Sequence, residues 1–319
     1  MTEERRPAGR PITPVAVGVL VRADGAVLLA DRPAGKPYAG YWEFPGGKMQ
    51  SGESVEQALE RELAEELGVC VRASDPWVVL EHDYPHAYVR LHFQRIFDWV
   101  GTPHPVEGQR LIFLPAGELA PSPLLPAAVL PLRWTQLPAV TGYSQQTSSD
   151  AHEALQWIEG ALARGLRQIL WYEPMLTGPA RLKAARGASA RARAYGAQLL
   201  IDSRMGDCAL ALGEGCFLSA EILRGSNVRP RAPWVGAAVQ TPTDLQRASA
   251  LACDFAVIEP APADSSAGAE DSLATWERIG ALCRQCPLPL YAELVLSVQN
   301  LRQARRHGAH GLAVYLPPR

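Results

Sequence analysis

The chain has 319 residues, 47% hydrophobic and 20% charged, with a formal net charge of −2. That length exceeds an ordinary single domain, and that composition supplies ample core, which excludes a disordered or fibrous chain. Positions 1–132 carry 12 basic and 17 acidic residues and the remainder 19 and 16, a balance that argues against a nucleic-acid polymer as partner.

Among six cysteines only Cys283 and Cys286 form a C-x-x-C, and with no second pair to complete a zinc site they read as ordinary thiols. The charged start, MTEERRPAGRP, is followed by no long apolar run, so a cytoplasmic protein is expected, without secretion or membrane insertion.

Residues 1–13 read as a short leader. Residues 15–22 (VAVGVLVR) read as a strand, Asp24-Gly25 as a hairpin turn, and residues 26–30 as the return strand. A Pro- and Gly-rich loop over 31–40 carries Arg32 and Lys36. It leads to Phe44-Pro45-Gly46-Gly47-Lys48, a tight turn that can bring backbone close to a metal or phosphate. Ser54 with Gln57 forms a capping box and Gly68 a stop, so the spacing predicts a helix between them. Val55, Leu59, Leu63 and Leu67 give that helix one buried stripe. Glu62, Glu65 and Glu66 fan over roughly 100° beside the stripe. Carboxylates at the edge of a buried face suit a hard cation such as Mg²⁺, which takes oxygen ligands and bridges protein to phosphate. The competing reading is a solvated acidic face with Arg61 as a local ion-pair partner. Segments 77–84 and 88–99 read as two long strands around Pro85-His86-Ala87, and 111–114 as a further short one. Sheet, one long helix, then more sheet is an α+β sandwich pattern.

The stretch 47–69, GKMQSGESVEQALERELAEELGV, fills every fixed position of G-x5-E-x7-R-E-U-x-E-E-x-G-U, where U is a bulky aliphatic. Gly47, Glu53, Arg61, Glu62, Leu63, Glu65, Glu66, Gly68 and Val69 stand in those places. On these residues the segment resembles the MutT-type branch of Nudix hydrolases. The resemblance implies an α+β Nudix sandwich over 1–132 that uses Mg²⁺, or Mn²⁺ in its stead. The implied reaction converts a small nucleoside triphosphate to monophosphate and pyrophosphate, as an 8-oxo-dGTP diphosphatase does in nucleotide-pool sanitation and DNA repair. Metal ligands are implied at the Gly46 carbonyl, Glu62, Glu65, Glu66 and, within Glu107-Gly108-Gln109, at Glu107. The implied catalytic set is Glu62, Glu65, Glu66, Arg61 and Glu53. Glu62 is either metal-associated or the general base, and Arg61 orients carboxylates through a bidentate pair. Arg32, Phe44, Gly47 and Lys48 are implied substrate contacts. One departure concerns the base. The branch reads oxidised guanine with an Asn, and Leu125 or Pro126 of PSPLLPAAVLP stands there, offering no amide.

Residues 133–150 join the halves through Pro138, Gly142 and a polar run. Beyond them, segments 139–143, 168–172, 198–201, 216–218, 235–239, 255–258, 288–292 and 311–315 read as strands. Helical stretches lie between, for example 150–164, 179–195, 244–251 and 297–307. The alternation predicts an α/β (β/α)8 TIM-type barrel over 133–319. On Leu199-Leu200-Ile201-Asp202, ACDFAVIE at 252–259 and GAHGLAV at 308–314, this half resembles thiamin-phosphate synthase. Its chemistry positions differ from that family. Ile169-Leu170-Trp171 replaces Gln-Leu-Arg, and Asp202-Ser203-Arg204 replaces Asn-Asp-Arg. APADSSA over 261–267 lacks the loop lysine, and Leu294-Val295-Leu296 replaces the phosphate-binding glycines. A phosphate cup without glycines and cation is poor. The barrel is therefore expected to be catalytically degenerate and to serve scaffolding, homodimerisation or ligand sensing. Glu173, Asp202, Arg204 and Glu259 fall at C-terminal strand ends, where barrel sites form, or are solvated loop charge. Two further readings stand beside these: Nudix action on a thiamin-pathway diphosphate, and a barrel that binds thiamin phosphate as a regulatory module.

Overall fold

The computed structural model describes residues 10–144, 150–260, 273–284 and 286–315. The first nine residues of the expected leader, the polar run at 145–149 and the lysine-free loop at 261–267 lie outside the described residues. The chain divides into two compact units, one of Glu3–Leu137 with Arg284–Pro287 and one formed mainly by Pro138–Cys283 and the chain from Leu288. No helix among the described residues is long and apolar enough to cross a membrane.

The first unit holds β1 (Ile12–Leu20), β2 (Val27–Asp31), β3 (Trp42–Glu43), β4 (Gly46–Lys48), α1 (Val55–Leu67), β5 (Cys70–Tyr84), β6 (Ala87–Val100), β7 (Leu111–Leu114) and α2 (Val129–Trp134). One sheet has the order β4-β1-β6-β5 and a second the order β3-β2-β7. Helix α1 begins at the Ser54–Gln57 capping box, both halves of which are made, and ends at Gly68 with φ 65°. Only glycine takes that left-handed cap at no steric cost. Leu59, Leu63 and Leu67 are fully buried with Ala58, and they pack on Ala16, Leu20 and Ile96 in one core. The first unit is thus the α+β sandwich that its pattern of elements predicts.

Three local expectations are corrected. Asp24-Gly25 does turn the chain, but β1 and β2 share only the isolated Val21–Val27 bridge. The reason is that β1 already has β4 on one edge and β6 on the other, so β2 pairs with β3 and β7 instead. The segment Gly46–Lys48, expected as part of a turn, is a short strand with Val17↔Gly46 and Val15↔Lys48 in register. Finally, β5 starts at Cys70, well before residue 77. Register shifts between Val71 and Val78 carry Pro76 through the sheet, as bulges allow.

The second unit contains β8 (Val140–Tyr143), α3 (Ala151–Ala163), β9 (Gln168–Trp171), α4 (Gly178–Ala194), β10 (Gln198–Asp202), α5 (Asp207–Leu210), β11 (Gly215–Leu218) and α6 (Ala220–Gly225). It continues with β12 (Trp234–Val239), α7 (Pro242–Ala250), β13 (Phe255–Ile258), α8 (Leu273–Cys283), β14 (Leu290–Glu293), α9 (Val298–Arg306) and β15 (Gly311–Tyr315). The eight strands pair in parallel in sequence order, and β15 closes on β8. Ile169, Trp171, Leu199 and Ile201 pack outward against Ile158, Leu162 and the alanines of α4. By strand alternation the residues between them, Leu170 and Leu200, face the barrel interior, as does Asp202.

Asp244, only 2% exposed, ties this barrel together locally. Its carboxylate accepts from Arg224 Nε at 2.8 Å and Nη2 at 2.9 Å, and from the Gln240 and Thr241 amides at 3.0 and 3.1 Å. The Arg224 hydrogen bond holds its pKa down at about 2. A carboxyl whose folded pKa lies below its unfolded value stabilises the fold above the unfolded pKa. That contribution is lost as pH falls through the folded value. Asp244→Asn is expected to cost roughly 2 kcal/mol at pH 7. In thermal melts across pH, its gap to wild type should narrow below about pH 4 and keep narrowing toward pH 2. A gap independent of pH would contradict this role.

Candidate active site

The cleft of the first unit is lined by β1, the end of β2 with the Arg32–Lys36 loop, β3–β4, α1, β5–β6, the loop before β7 and residues 125–128. It encloses about 480 Å³. Glu62 and Glu66 reach it because they stand one turn apart at the edge of the buried α1 stripe. Glu65 falls between them in sequence but outside in space: its side chain is 61% exposed, and Glu65 does not line the cleft.

Backbone approaches the carboxylates closely. A Cβ on Gly47 would lie 2.1 Å from the Glu62 carboxyl, and one on Gly46 would lie 2.2 Å from the Ala16 carbonyl. The two glycines therefore let β4 lie flat between β1 and the acidic edge of α1. Gly46 N–H donates to Glu66 Oε2 at 3.2 Å. Burial pushes the Glu66 carboxyl up to about 7, with the Gly46 amide and Lys36 opposing.

Arg61 organises the outer side. Its Nε and Nη2 meet the two oxygens of Glu53 at 2.8 and 2.9 Å, a fork-on-carboxylate pair. Nη1 donates to Glu62 at 2.6 Å and Nη2 to the Lys48 carbonyl at 3.1 Å, while Glu65 stands 3.5 Å away. The Arg61 hydrogen bond holds Glu53 down at about 2, helped by the Gln50 amide. Neither Arg61 nor Glu53 lines the cleft; they hold Glu62 and the β4 backbone from behind.

The remaining sequence-predicted positions are distributed around the same cleft. Gly46, Gly47, Lys48, Phe44, Arg32 and Glu107 all line it. Glu107 pairs with Lys36 at 2.6 Å, and Arg32 pairs with Glu43 at 2.5 Å. Among the described residues no three acidic, His or Cys side chains converge as a finished metal site. The acids are held by Arg61, Lys36 and a backbone amide instead. The donor set still suits a hard divalent cation. It is all oxygen, it includes a carboxyl whose charge burial penalises, and it faces a glycine cradle that a Cβ would fill.

Sequence reasoning missed three residues here. Gln109 is buried, and its amide links Glu107 N–H at 2.9 Å to the Glu66 carbonyl at 2.7 Å, fixing the loop to the end of α1. Glu43 lines the cleft, and burial raises its pKa against the opposing charge of Arg32. The Tyr84 hydroxyl accepts from Ala127 N–H at 3.4 Å, which leaves its own proton free to donate. Strand alternation gave the one available signal, for Glu43, between the buried Trp42 and Phe44. Val17, Leu91, Phe93 and Leu125 give the cleft an apolar stretch of wall. Leu125 thus stands in that wall where an amide was sought, and brings no polar group.

Residues 12–157 match the model of the NUDIX domain, and residues 139–316 that of thiamine monophosphate synthase. The chain is 34% identical over 118 residues to an 8-oxo-dGTP diphosphatase of Haemophilus influenzae, spanning 35% of this chain and 87% of that protein. It is 37% identical over 113 residues to a CTP pyrophosphohydrolase of Escherichia coli, spanning 35% and 84%. A MutT NUDIX hydrolase structure from Burkholderia pseudomallei aligns at 29% identity with a TM-score of 0.36, over 39% of this chain and 98% of that one. The chain therefore belongs to the Nudix hydrolases through its first unit and to the thiamine monophosphate synthase family through its barrel.

Proposed function

We propose that the cleft hydrolyses a nucleoside triphosphate to the monophosphate and pyrophosphate, with Mg²⁺ or Mn²⁺ held by the Gly46 carbonyl, Glu62, Glu66 and Glu107, and by Glu65 once its exposed side chain turns in from outside the cleft. One observation carries this reading: two helix carboxylates meet bare glycine backbone in a cleft whose lining also holds apolar side chains. Carboxylates over bare backbone suit a phosphate chain with its cation, and the apolar lining suits a base. When bound, the cation offsets triphosphate charge and lowers the pKa of a coordinated water. Glu62, held by Arg61, serves either as a metal-associated carboxylate or as the base that accepts the proton. Arg32 and Lys36 exchange their carboxylate partners for phosphate oxygens as substrate enters. Phe44 and Phe93, edge to face at 6.1 Å, keep the inner wall dry.

The relatives' names point to oxidised dGTP and to CTP as nucleotides of the class. The 8-oxo-dGTP type is the leading reading, and CTP is kept as the second because Leu125 removes an amide that would select guanine. Tyr84, whose O–H is left to donate, is one polar group of the lining that can read a base edge.

Turnover of 8-oxo-dGTP, dGTP, CTP and a thiamin-pathway diphosphate, with separate detection of pyrophosphate and orthophosphate, tests the assignment. Pyrophosphate release that stops in EDTA and returns with Mg²⁺ or Mn²⁺ is expected. Release of orthophosphate alone, or full activity in EDTA, would falsify it.

Glu62→Gln and Glu66→Gln should each lower kcat by about a hundredfold or more with folding intact, because a catalytic metal or base contributes several kcal/mol to the barrier. Retention of near wild-type kcat in both would remove these carboxylates from the reaction. Arg61→Lys keeps the charge but loses the fork, and should lower kcat about tenfold while leaving KM near wild type. An effect on KM alone would make Arg61 a substrate contact instead.

A further inference from the structure

The C-terminal mouth of the barrel has exchanged phosphate chemistry for acids and aromatic rings. Tyr143, Asp202, Glu293 and Tyr315 are the last residues of β8, β10, β14 and β15, and Tyr172 and Glu259 follow β9 and β13 directly. Tyr143 stacks on Tyr315 with centroids 4.6 Å apart and rings 17° from parallel. It also meets Phe217 edge to face at 6.3 Å. The Tyr143 side chain is only 6% exposed, and its hydroxyl lies beside Glu293. Burial, and then the nearby Glu293, Tyr315 and Glu259, hold its pKa well above the ordinary value, so it stays neutral. Glu259 accepts from Gln240 Nε2 at 3.0 Å.

A cation already sits in this mouth, and it belongs to the chain. The Arg204 guanidinium lies 3.8 Å over the Tyr172 ring. Its Nε and Nη2 meet the Asp202 oxygens at 2.8 and 2.7 Å. An arginine at a barrel mouth invites the reading of a phosphate anchor. Here its charge is met by Asp202 and one face is covered by an aromatic ring. Arg278 is also turned away from a ligand's charge, donating to the Gln240 and Glu259 carbonyls at 3.1 and 2.9 Å. Where the family's phosphate glycines are expected, Val295 and Leu296 are 61% and 49% exposed. With Asp202 already matched by Arg204, Glu259, Glu293 and the stacked rings favour a cation over an anion, by Coulomb attraction and by the ring quadrupole.

We propose that the barrel mouth binds a small organic cation of the quaternary-ammonium or guanidinium type between Tyr143, Tyr172, Glu259 and Glu293, with Arg204 as the tethered cation that fills part of the site in the ligand's absence. Arg204 and the ligand then compete for Tyr172 and Asp202. This inference does not depend on the hydrolysis assigned to the first unit.

The test is calorimetric titration of the full chain with tetramethylammonium, methylguanidinium and inorganic phosphate, in a Glu66→Gln background that silences the other cleft. Either cation should bind, and Glu293→Gln should weaken that binding about tenfold. Arg204→Ala should tighten it severalfold, because the internal competitor is gone. This sign separates the proposal from a phosphate site, where losing Arg204 weakens binding. Circular-dichroism melts establish that each variant is folded, and Tyr143→Phe, which keeps the ring stack, serves as a second variant that should also weaken cation binding. No heat from either cation in both wild type and Arg204→Ala, or phosphate binding that Arg204→Ala abolishes, would overturn it.

Discussion

Glu62 can rest against β4 because Gly47 has no side chain; any Cβ there would lie 2.1 Å from the carboxyl. Glu66 can reach the same strand because Gly46 turns its N–H toward it. The two carboxylates are an i,i+4 like-charge pair, which costs a few tenths of a kcal/mol on an isolated helix and more where burial thins the solvent. Arg61 offsets part of that cost from behind, binding Glu62 while clamped to Glu53 and the Lys48 carbonyl. The Glu66 carboxyl is raised first by burial and then by Glu107 and Glu43, with the Gly46 amide and Lys36 opposing. The cleft is thus a place where negative charge is gathered and incompletely balanced. That imbalance is what the proposed divalent cation would offset.

The remainder of the first unit makes this contact geometrically fixed. The stripe of Leu59, Leu63 and Leu67 sets the rotation of α1 about its axis, and so aims Glu62 and Glu66. Gln109 locks the following loop to the end of the same helix, which brings Glu107 to the cleft. The barrel shows the complementary case. Its eight strands close in the family's order, yet the mouth carries carboxylates and tyrosines where a phosphate cup is expected. A scaffold kept by outward-packed aliphatic residues tolerates such change, because the residues that close the barrel are not those at its rim.

The legible parts of the molecule are those where a periodic pattern meets a local stop signal. Helix α1 was readable from Ser54, Gln57, Gly68 and a four-residue leucine repeat, since each acts within one turn of chain. All eight barrel strands were readable because each is a short apolar run between helices. The parts that were not legible depend on non-local competition for strand edges. Asp24-Gly25 looks like a hairpin, but whether β2 pairs with β1 is decided by β4 and β6, which arrive later in the chain. The strand character of Gly46–Lys48 came from β1 as well. In the cleft, the family pattern located Glu62, Glu66 and Glu107, whereas Gln109 and Tyr84 act through hydrogen bonds to backbone distant in sequence. No spacing rule announces such contacts.

The central claim is that Glu62, Glu66 and the glycine strand form the seat of a divalent cation. Electron paramagnetic resonance of Mn²⁺ titrated into the intact protein tests it without any substrate. The account predicts saturable Mn²⁺ binding that Mg²⁺ displaces and that Glu62→Gln with Glu66→Gln removes. Mn²⁺ bound equally well by that double variant would contradict it.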